Sequence, residues 1–554
     1  MRWLLLLAVA LGCRTGVQAA ELVFDGDKVA MRERHAGDPP SSPASTPILL
    51  LAFDGVSRDL LYDLLREGKL PHLAELLGGD ALAHADLDER LLTNLPSTTI
   101  PAWAAVFTGT AAGENGVPNN EYFVRETKTF EAPAPVTFLD TSATLEVYTK
   151  GAVNKLPDAR TVYERIHDAD PDTLVWVVLS HLFRGADAMY FAKRAVFGEM
   201  LAAFVEDGLP REERKITSRK PFAALDVGAI DGLAGHLRAG PIPDVITLYI
   251  AGTDLYTHVA REGPDEARRA YLTEVIDPAL AHLVDRMRER DMLAHRWIVV
   301  TADHGHTAIV ADAAHAIDTG EGDAPGVLHG LGWKTRPFKH AVSAGDPYNA
   351  VLAYGGAMAF VYLADRSRCT GERACAWDAP PRYREDVLAV AEGYLGASET
   401  GALAPGMRGA LDMIFVRVPR PVADIDLPFE VYLGDGKTQP IDAYLAAHPH
   451  PTYVDVARRM AELAVGRHGE RAGDVLLLAH NGDRDRPEDR YYFAKPFRSW
   501  HGSPSRQDSE IPLIVAHPTM TAAAIHTWLD RWLADRPYQR KLTDILLALR
   551  ARPR

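Results

Sequence analysis

Apolar residues in this chain follow two rhythms. Short unbroken runs occur at Ile48–Phe53, Val245–Ile250 and Trp297–Ala302, with no charged residue inside them. Leu-rich or β-branched runs of this length read as strands buried on both faces of a parallel sheet. Thr173–Leu179, Val475–Ala479 and Ile511–Ala516 are further strand-like runs. Between them, apolar residues recur at helical spacing over Arg58–Leu65, Pro71–Leu77 and Asp265–Met287, and again over Ala522–Leu533 and Leu542–Leu549. Strands alternating with helices predict an α/β fold, with a mostly parallel central sheet and helices on both faces. From about Thr307 to Asp474 the pattern is less regular and rich in Gly, Pro and His. That stretch predicts insertions forming a loop-rich subdomain beside the site, and its loops are expected to shape the leaving-group pocket. No internal repeat is visible.

The three main runs share one further property. The first ends on Asp54, the second leads through Ala251-Gly252-Thr253 to Asp254, and the third ends on Asp303-His304-Gly305. In open α/β sheets ligands bind beyond the carboxyl ends of the strands. Asp254 and His258 are four apart, so on a helical turn they share a face and reach one ion. Asp303 and His304 are adjacent and share an ion only if the chain turns sharply, which Gly305 permits. Asp and His suit zinc where thiolates are absent. A candidate nucleophile is Thr99, in Pro96-Ser97-Thr98-Thr99-Ile100-Pro101. Pro101 suits a first helical turn, and a helix N-terminus favours a phosphoryl anion. The plainer reading of Thr99 by itself is a helix N-cap.

Composition narrows the partners. The chain has 554 residues, is 47% apolar and carries a formal net charge of -15. That charge argues against a nucleic-acid partner and against a basic membrane-binding patch. A phosphate ester remains compatible, because bound divalent metals reverse the local field. Residues 1–19 read as a secretory signal. Arg2 supplies its charge, Trp3–Leu11 its apolar run, and Val17-Gln18-Ala19 its cleavage site. A secreted or periplasmic protein is therefore expected. Lipoprotein processing at Cys13 is the less favoured alternative, and no later segment is long and apolar enough to span a bilayer. Residues 20–47 read as a linker, Pro/Ser-rich from residue 35 and not expected to pack, with folded structure starting at Ile48. Cys369 and Cys375 remain as a pair that predicts a disulfide in an exported protein.

Taken together, these residues resemble the alkaline phosphatase superfamily, most closely its type I phosphodiesterase and nucleotide pyrophosphatase branch. The resemblance rests on Asp54-Gly55 after the first strand, the Thr99 segment, Thr108-Gly109, Asp254 with His258, Asp303-His304-Gly305, and His501-Gly502 before a late strand. It spans residues 48 to about 518. It implies one alkaline-phosphatase-like catalytic domain over 48–554, with insertions at roughly 307–474. It also implies two zinc ions. Asp254, His258 and His501 would hold one of them. Asp54, Asp303, His304 and the Thr99 oxygen would hold the other. Thr99 would be the catalytic nucleophile, forming a covalent phospho-threonine, and Asn120 would bind phosphoryl oxygens. The implied substrate is a small phosphodiester or pyrophosphate.

The chain departs from the pattern at two positions. Ile100 stands where nucleotide-cleaving members often carry a base-stacking aromatic, and Trp103 stands where a His is often found. Trp103 is read as helix core. A sulfatase would need Cys or Ser at position 99 and an Arg at 103, and neither is present. A cofactor-independent phosphoglycerate mutase would lack the export signal. A phosphomonoesterase of the same fold is the main rival, because Arg184 follows another predicted strand and could pair with a dianionic phosphate. A non-catalytic binding protein is a further rival, but every expected ligand is present. His306, His72, His329, His340 and His480 are read as surface or hydrogen-bonded loop histidines.

Overall fold

The computed structural model describes residues 45–79, 81–138, 146–147, 151–191, 219–342, 347–369, 375–419 and 427–551. The signal segment 1–19, Cys13 and the linker up to residue 44 lie outside them. Residues 45–47 pack, contrary to the linker expectation. Thr46 is buried and its N–H donates to the Arg550 carbonyl at 3.1 Å, while Pro47 O accepts from Trp297 N–H at 2.9 Å. The carbonyls and donors at the sheet's lower edge need partners, and these residues supply them.

The central sheet has seven strands. They are β1 (Ile48–Phe53), β2 (Ala85–Asp88), β3 (Val175–Val178), β4 (Ala188–Tyr190), β5 (Val245–Ile250), β6 (Trp297–Ala302) and, late in the chain, Leu513–Ala516. The spatial order is β2, Leu513–Ala516, β6, β1, β5, β3, β4. Leu513–Ala516 runs antiparallel to both of its neighbours, and the pairs from β6 to β4 are parallel. Every residue of β1, β5 and β6 is buried. Because side chains alternate between faces, full burial means that both faces are covered.

The register places the site. Phe53 pairs with Ile250 of β5 and with Ala302 of β6. The three strands therefore end level, and the residues after them emerge together at one edge. The predicted helix over Asp265–Met287 is present as Pro264–Tyr271 and Asp277–Glu289, joined by a π-helical turn at Leu272–Ile276.

The irregular stretch holds a second sheet that periodicity does not signal. Ala350–Gly355, Met358–Leu363, Leu411–Arg417, Phe429–Gly434 and Lys437–Pro440 join Val475–Ala479 in six strands whose pairs are all antiparallel. Its first two strands and Val475–Ala479 are wholly buried. Such strands lack the alternation that marks a half-exposed sheet. Cys369 and Cys375 form a disulfide at the rim of this region.

Candidate metal centre

Asp54 follows β1 directly, and Asp303 follows β6. One face of this edge is closed by α1 (Thr99–Thr108). Thr98 is its N-cap, in extended conformation and with no side-chain capping bond, so Thr99 is the first helical residue rather than the cap. The Thr99 hydroxyl lies 3.2 Å from His304 Nε2. His304 Nε2 is also 3.5 Å from Asp54 Oδ1 and 3.5 Å from Asp303 Oδ2. Two ligands 2.0–2.1 Å from a tetrahedral zinc lie about 3.3–3.4 Å apart. Three oxygens thus stand around His304 Nε2 at the spacing of donors to a single ion.

The remaining bonds of these side chains aim them there. Asp303 Oδ1 accepts from Gly55 N–H at 3.0 Å and from His304 N–H at 2.9 Å. Asp54 Oδ2 accepts from the Tyr249 hydroxyl. The opposite oxygens, Asp54 Oδ1 and Asp303 Oδ2, are buried with no hydrogen-bond donor. Burial, and then the Asp303 and Asp254 charges, push the Asp54 carboxyl well above the usual carboxylate range. Burial raises Asp303 as well. Two buried carboxylates with orphaned oxygens fit a bound cation, which supplies the missing charge and ligand.

The second cluster centres on Asp254. It lies on α2 (Gly252–Thr257), with His258 at the helix C-cap. His258 Nε2 is 3.3 Å and His501 Nε2 is 3.8 Å from Asp254 Oδ1. The other ring nitrogens are held by carbonyls, His258 Nδ1 by Ser499 O at 2.8 Å and His501 Nδ1 by Ser97 O at 2.8 Å. These bonds hold Nδ1–H of each ring on a carbonyl and turn Nε2, the atom that would bind a metal once unprotonated, toward Asp254. Burial works to raise the Asp254 carboxyl, but the His258 charge and the imidazole bonds bring it well below its usual range. His501 is brought here by a short antiparallel pair, Ser499–Trp500 with Thr307–Ala308. Its ring stacks on His304 at 3.6 Å, which joins the two clusters.

His306 is a hydrogen-bonded loop histidine rather than a surface one: it is fully buried, and its Nε2 bonds Asp254 Oδ1 at 2.7 Å, a partner the sequence does not indicate. The signal was the second His in Asp-His-Gly-His, two residues past a predicted ligand. Tyr249 was also missed, although a tyrosine near the end of an aliphatic strand marks a polar tip at the sheet edge. Gly305 serves differently from the expectation. Its φ is not left-handed, but a Cβ there would sit 2.0 Å from the Gln507 carbonyl. It permits close approach rather than a special turn.

A cavity of about 310 Å³ opens onto Asp54, Thr99, Asp254, His258 and His501. Asn120 lines it too. Its Oδ1 accepts from Ile100 N–H at 2.9 Å, which leaves the amide NH2 as the donating end. The walls include Ile100, Pro135, Val136, Phe191, Leu225 and Trp500. Among the described lining residues there is no Lys or Arg, and none comes from 307–474, where the sequence placed the leaving-group walls. Arg184 is absent from the cavity. It pairs with Glu164 at 3.2 Å and donates to the Asn154 and Pro157 carbonyls. Trp103 is core, packed against Phe107 and Tyr249 with ring centroids 5.6 Å away in each case. Two further Asp/His groups, Asp86–Asp88–His526 and Asp412–His480–Asp483, lie elsewhere. Each already holds an arginine, Arg90 on Asp88 and Arg484 on Asp483.

No curated protein matches the sequence. Among solved structures, the chain is similar to murine ectonucleotide pyrophosphatase/phosphodiesterase 5, solved inactive in complex with AMP, at 11% identity and a TM-score of 0.47. That match covers 91% of this chain and 94% of that one. The human form gives 11% identity and a TM-score of 0.48, with the same coverage. The family profile described as type I phosphodiesterase/nucleotide pyrophosphatase matches residues 48–373, a span that holds both strand-end aspartates, Thr99, Asn120 and the Asp254–His258 turn. It stops short of His501, whose place rests on the geometry above. With more than half of the chain matched, the protein belongs to the type I phosphodiesterase/nucleotide pyrophosphatase family.

Proposed function

We propose that this protein is an exported, zinc-dependent hydrolase of small phosphodiesters or pyrophosphates, working through a phospho-threonine at Thr99. The observation that carries the reading is the convergence of three oxygens on His304 Nε2, the Thr99 hydroxyl at 3.2 Å and Asp54 Oδ1 and Asp303 Oδ2 at 3.5 Å each. Asp54, Asp303, His304 and Thr99 would hold one zinc, and Asp254, His258 and His501 the other. Zinc, when bound, lowers the proton affinity of an oxygen ligand and neutralises phosphoryl charge.

The chain's own residues account for the rest. The Thr99 hydroxyl loses its proton to solvent and its oxygen attacks phosphorus. An Oγ1–P bond forms, the bond to the leaving oxygen breaks, and that oxygen departs with the electron pair and is protonated by solvent. Asn120 donates to a non-bridging oxygen. The N-terminus of α1 adds its dipole to the same charge. Water then attacks the phosphorus of the phospho-threonine, the Oγ1–P bond breaks, the phosphoryl group leaves with the water oxygen as the phosphate product, and Thr99 Oγ1 takes up a proton. The apolar walls exclude bulk water and receive the substituent.

A diester is favoured over a monoester because no cation faces the phosphoryl group among the described lining residues. The extra negative charge of a monoester would lack a partner in the transition state. The test compares kcat/KM for bis-4-nitrophenyl phosphate, a thymidine 4-nitrophenyl diester and 4-nitrophenyl phosphate. The diesters should be preferred, with little gain from the nucleoside because Ile100 offers no stacking face. A clear preference for the monoester would overturn the assignment.

Export rests on the reading of residues 1–19. Among the described residues no helix is long and apolar enough to cross a membrane.

A further inference from the structure

We infer that His306 is a positioning residue for Asp254, donating its Nε2–H to the carboxylate and holding it in the orientation that receives a metal. The inference rests on the function proposed above and adds a residue to that site. The bond is 2.7 Å, between two side chains that are both buried. His306 Nδ1 is buried with no hydrogen-bond partner, so the Asp254 bond is the polar contact that holds the ring. A buried imidazole costs desolvation that an aliphatic side chain would not. The carboxylate bond is what offsets it.

The surroundings place the ring for this bond. His306 directly precedes the Thr307–Ala308 strand that pairs with Ser499–Trp500, so one short ladder sets the position of both His306 and His501. Gly55, at φ +69°, makes room from the other side. A Cβ there would lie 2.7 Å from His306 Nε2.

Direct ligation is the competing role. Asp254, His258, His501 and His306 together would give four protein donors. That set closes a zinc site, whereas a catalytic zinc keeps a position open for substrate. An outer partner on a ligating carboxylate fixes its orientation without occupying that position.

The test measures zinc affinity by competition with a chromophoric chelator, using the full-length protein and three variants. His306→Leu removes the donor and should weaken one metal by about 10–100-fold. His306→Gln carries an amide N–H close to the position of Nε2 and should restore most of that loss. His306→Asn is too short to reach Asp254 and should bind as weakly as Leu, which covers the case in which the Leu variant does not fold. Wild-type affinity in both the Leu and Asn variants would overturn the inference. So would a Gln variant as weak as Leu with one metal lost outright, since that is the signature of a direct ligand. Wild-type protein that takes up no metal would sink the proposed function along with this inference. Metal-loaded wild type with indifferent variants would sink this inference alone.

Discussion

At the scale of single residues, the site depends on what is left unbonded. Asp54 and Asp303 each spend one oxygen on the protein, on Tyr249 and on backbone N–H groups respectively, and leave the other bare. Thr99 sits against the same imidazole nitrogen that those bare oxygens face. Under the proposed mechanism, Thr99→Ala removes both the nucleophile and a metal contact. Turnover of a chromogenic diester should fall by on the order of 10³-fold or more. Thr99→Ser keeps a hydroxyl at that place and should retain measurable activity. An Ala variant at near wild-type rate would mean direct attack by water. Single-turnover trapping of a phosphorylated chain in wild type, absent in the Ala variant, is the complementary measurement.

At the scale of elements, three strands, the helices α1 and α2 and the short Ser499–Trp500 ladder carry the chemistry, and their packing sets its precision. α1 is buried along its whole length, with Trp103 wedged against Phe107 and against Tyr249, whose hydroxyl bonds Asp54. Trp103 therefore backs Tyr249, and through the Tyr249 hydroxyl Asp54, from the same helix that carries Thr99. Trp103→Ala leaves a large cavity in a sealed region and should cost about 3–5 kcal/mol. The midpoint of denaturant unfolding reads this directly. Activity should fall as well, because the Tyr249–Asp54 contact loses its backing. An unchanged midpoint would mean that the indole packs loosely and contributes little to holding the helix.

At the scale of the whole molecule, the site lies where segments far apart in the chain meet. Its residues come from positions 54 to 501. Carboxylates gathered by such a fold repel each other until a cation arrives. Metal bound only by the folded state stabilises it by mass action, by about 2.7 kcal/mol at a free concentration 100 times Kd. Chelator-stripped protein should therefore melt at lower temperature and lose diesterase activity, and added zinc should restore both. Elemental analysis should find about two metals per chain, as the two-metal pattern requires. At most one tightly bound metal in fully active protein would remove the bimetallic reading. Acid should mimic chelation, since imidazole ligands bind metal only when unprotonated.

How much of this was legible in the sequence follows from the range of the forces involved. The three central strands and their terminal acids could be read directly, because a buried parallel strand must be apolar along its whole length and the polar residue after it marks the edge. The Asp254–His258 pair was legible because helical geometry ties positions four apart. The disulfide was legible from two cysteines left close together. What the tertiary structure decided involved partners distant in the chain. His306 reads as an ordinary loop histidine until the fold brings it against Asp254, 52 residues away. Arg184 reads as a candidate phosphate partner until Glu164 and three backbone carbonyls claim it. Of the second sheet only Val475–Ala479 reads as a strand from sequence, because its partners are scattered through an irregular, Gly- and Pro-rich stretch and meet it only by long-range antiparallel pairing. The pocket walls were misplaced because a cavity belongs to the surfaces that enclose it, and no local pattern records which segments those are. Periodicity encodes which face of an element is buried. It does not encode what lies across from that face, and catalysis depends on the latter.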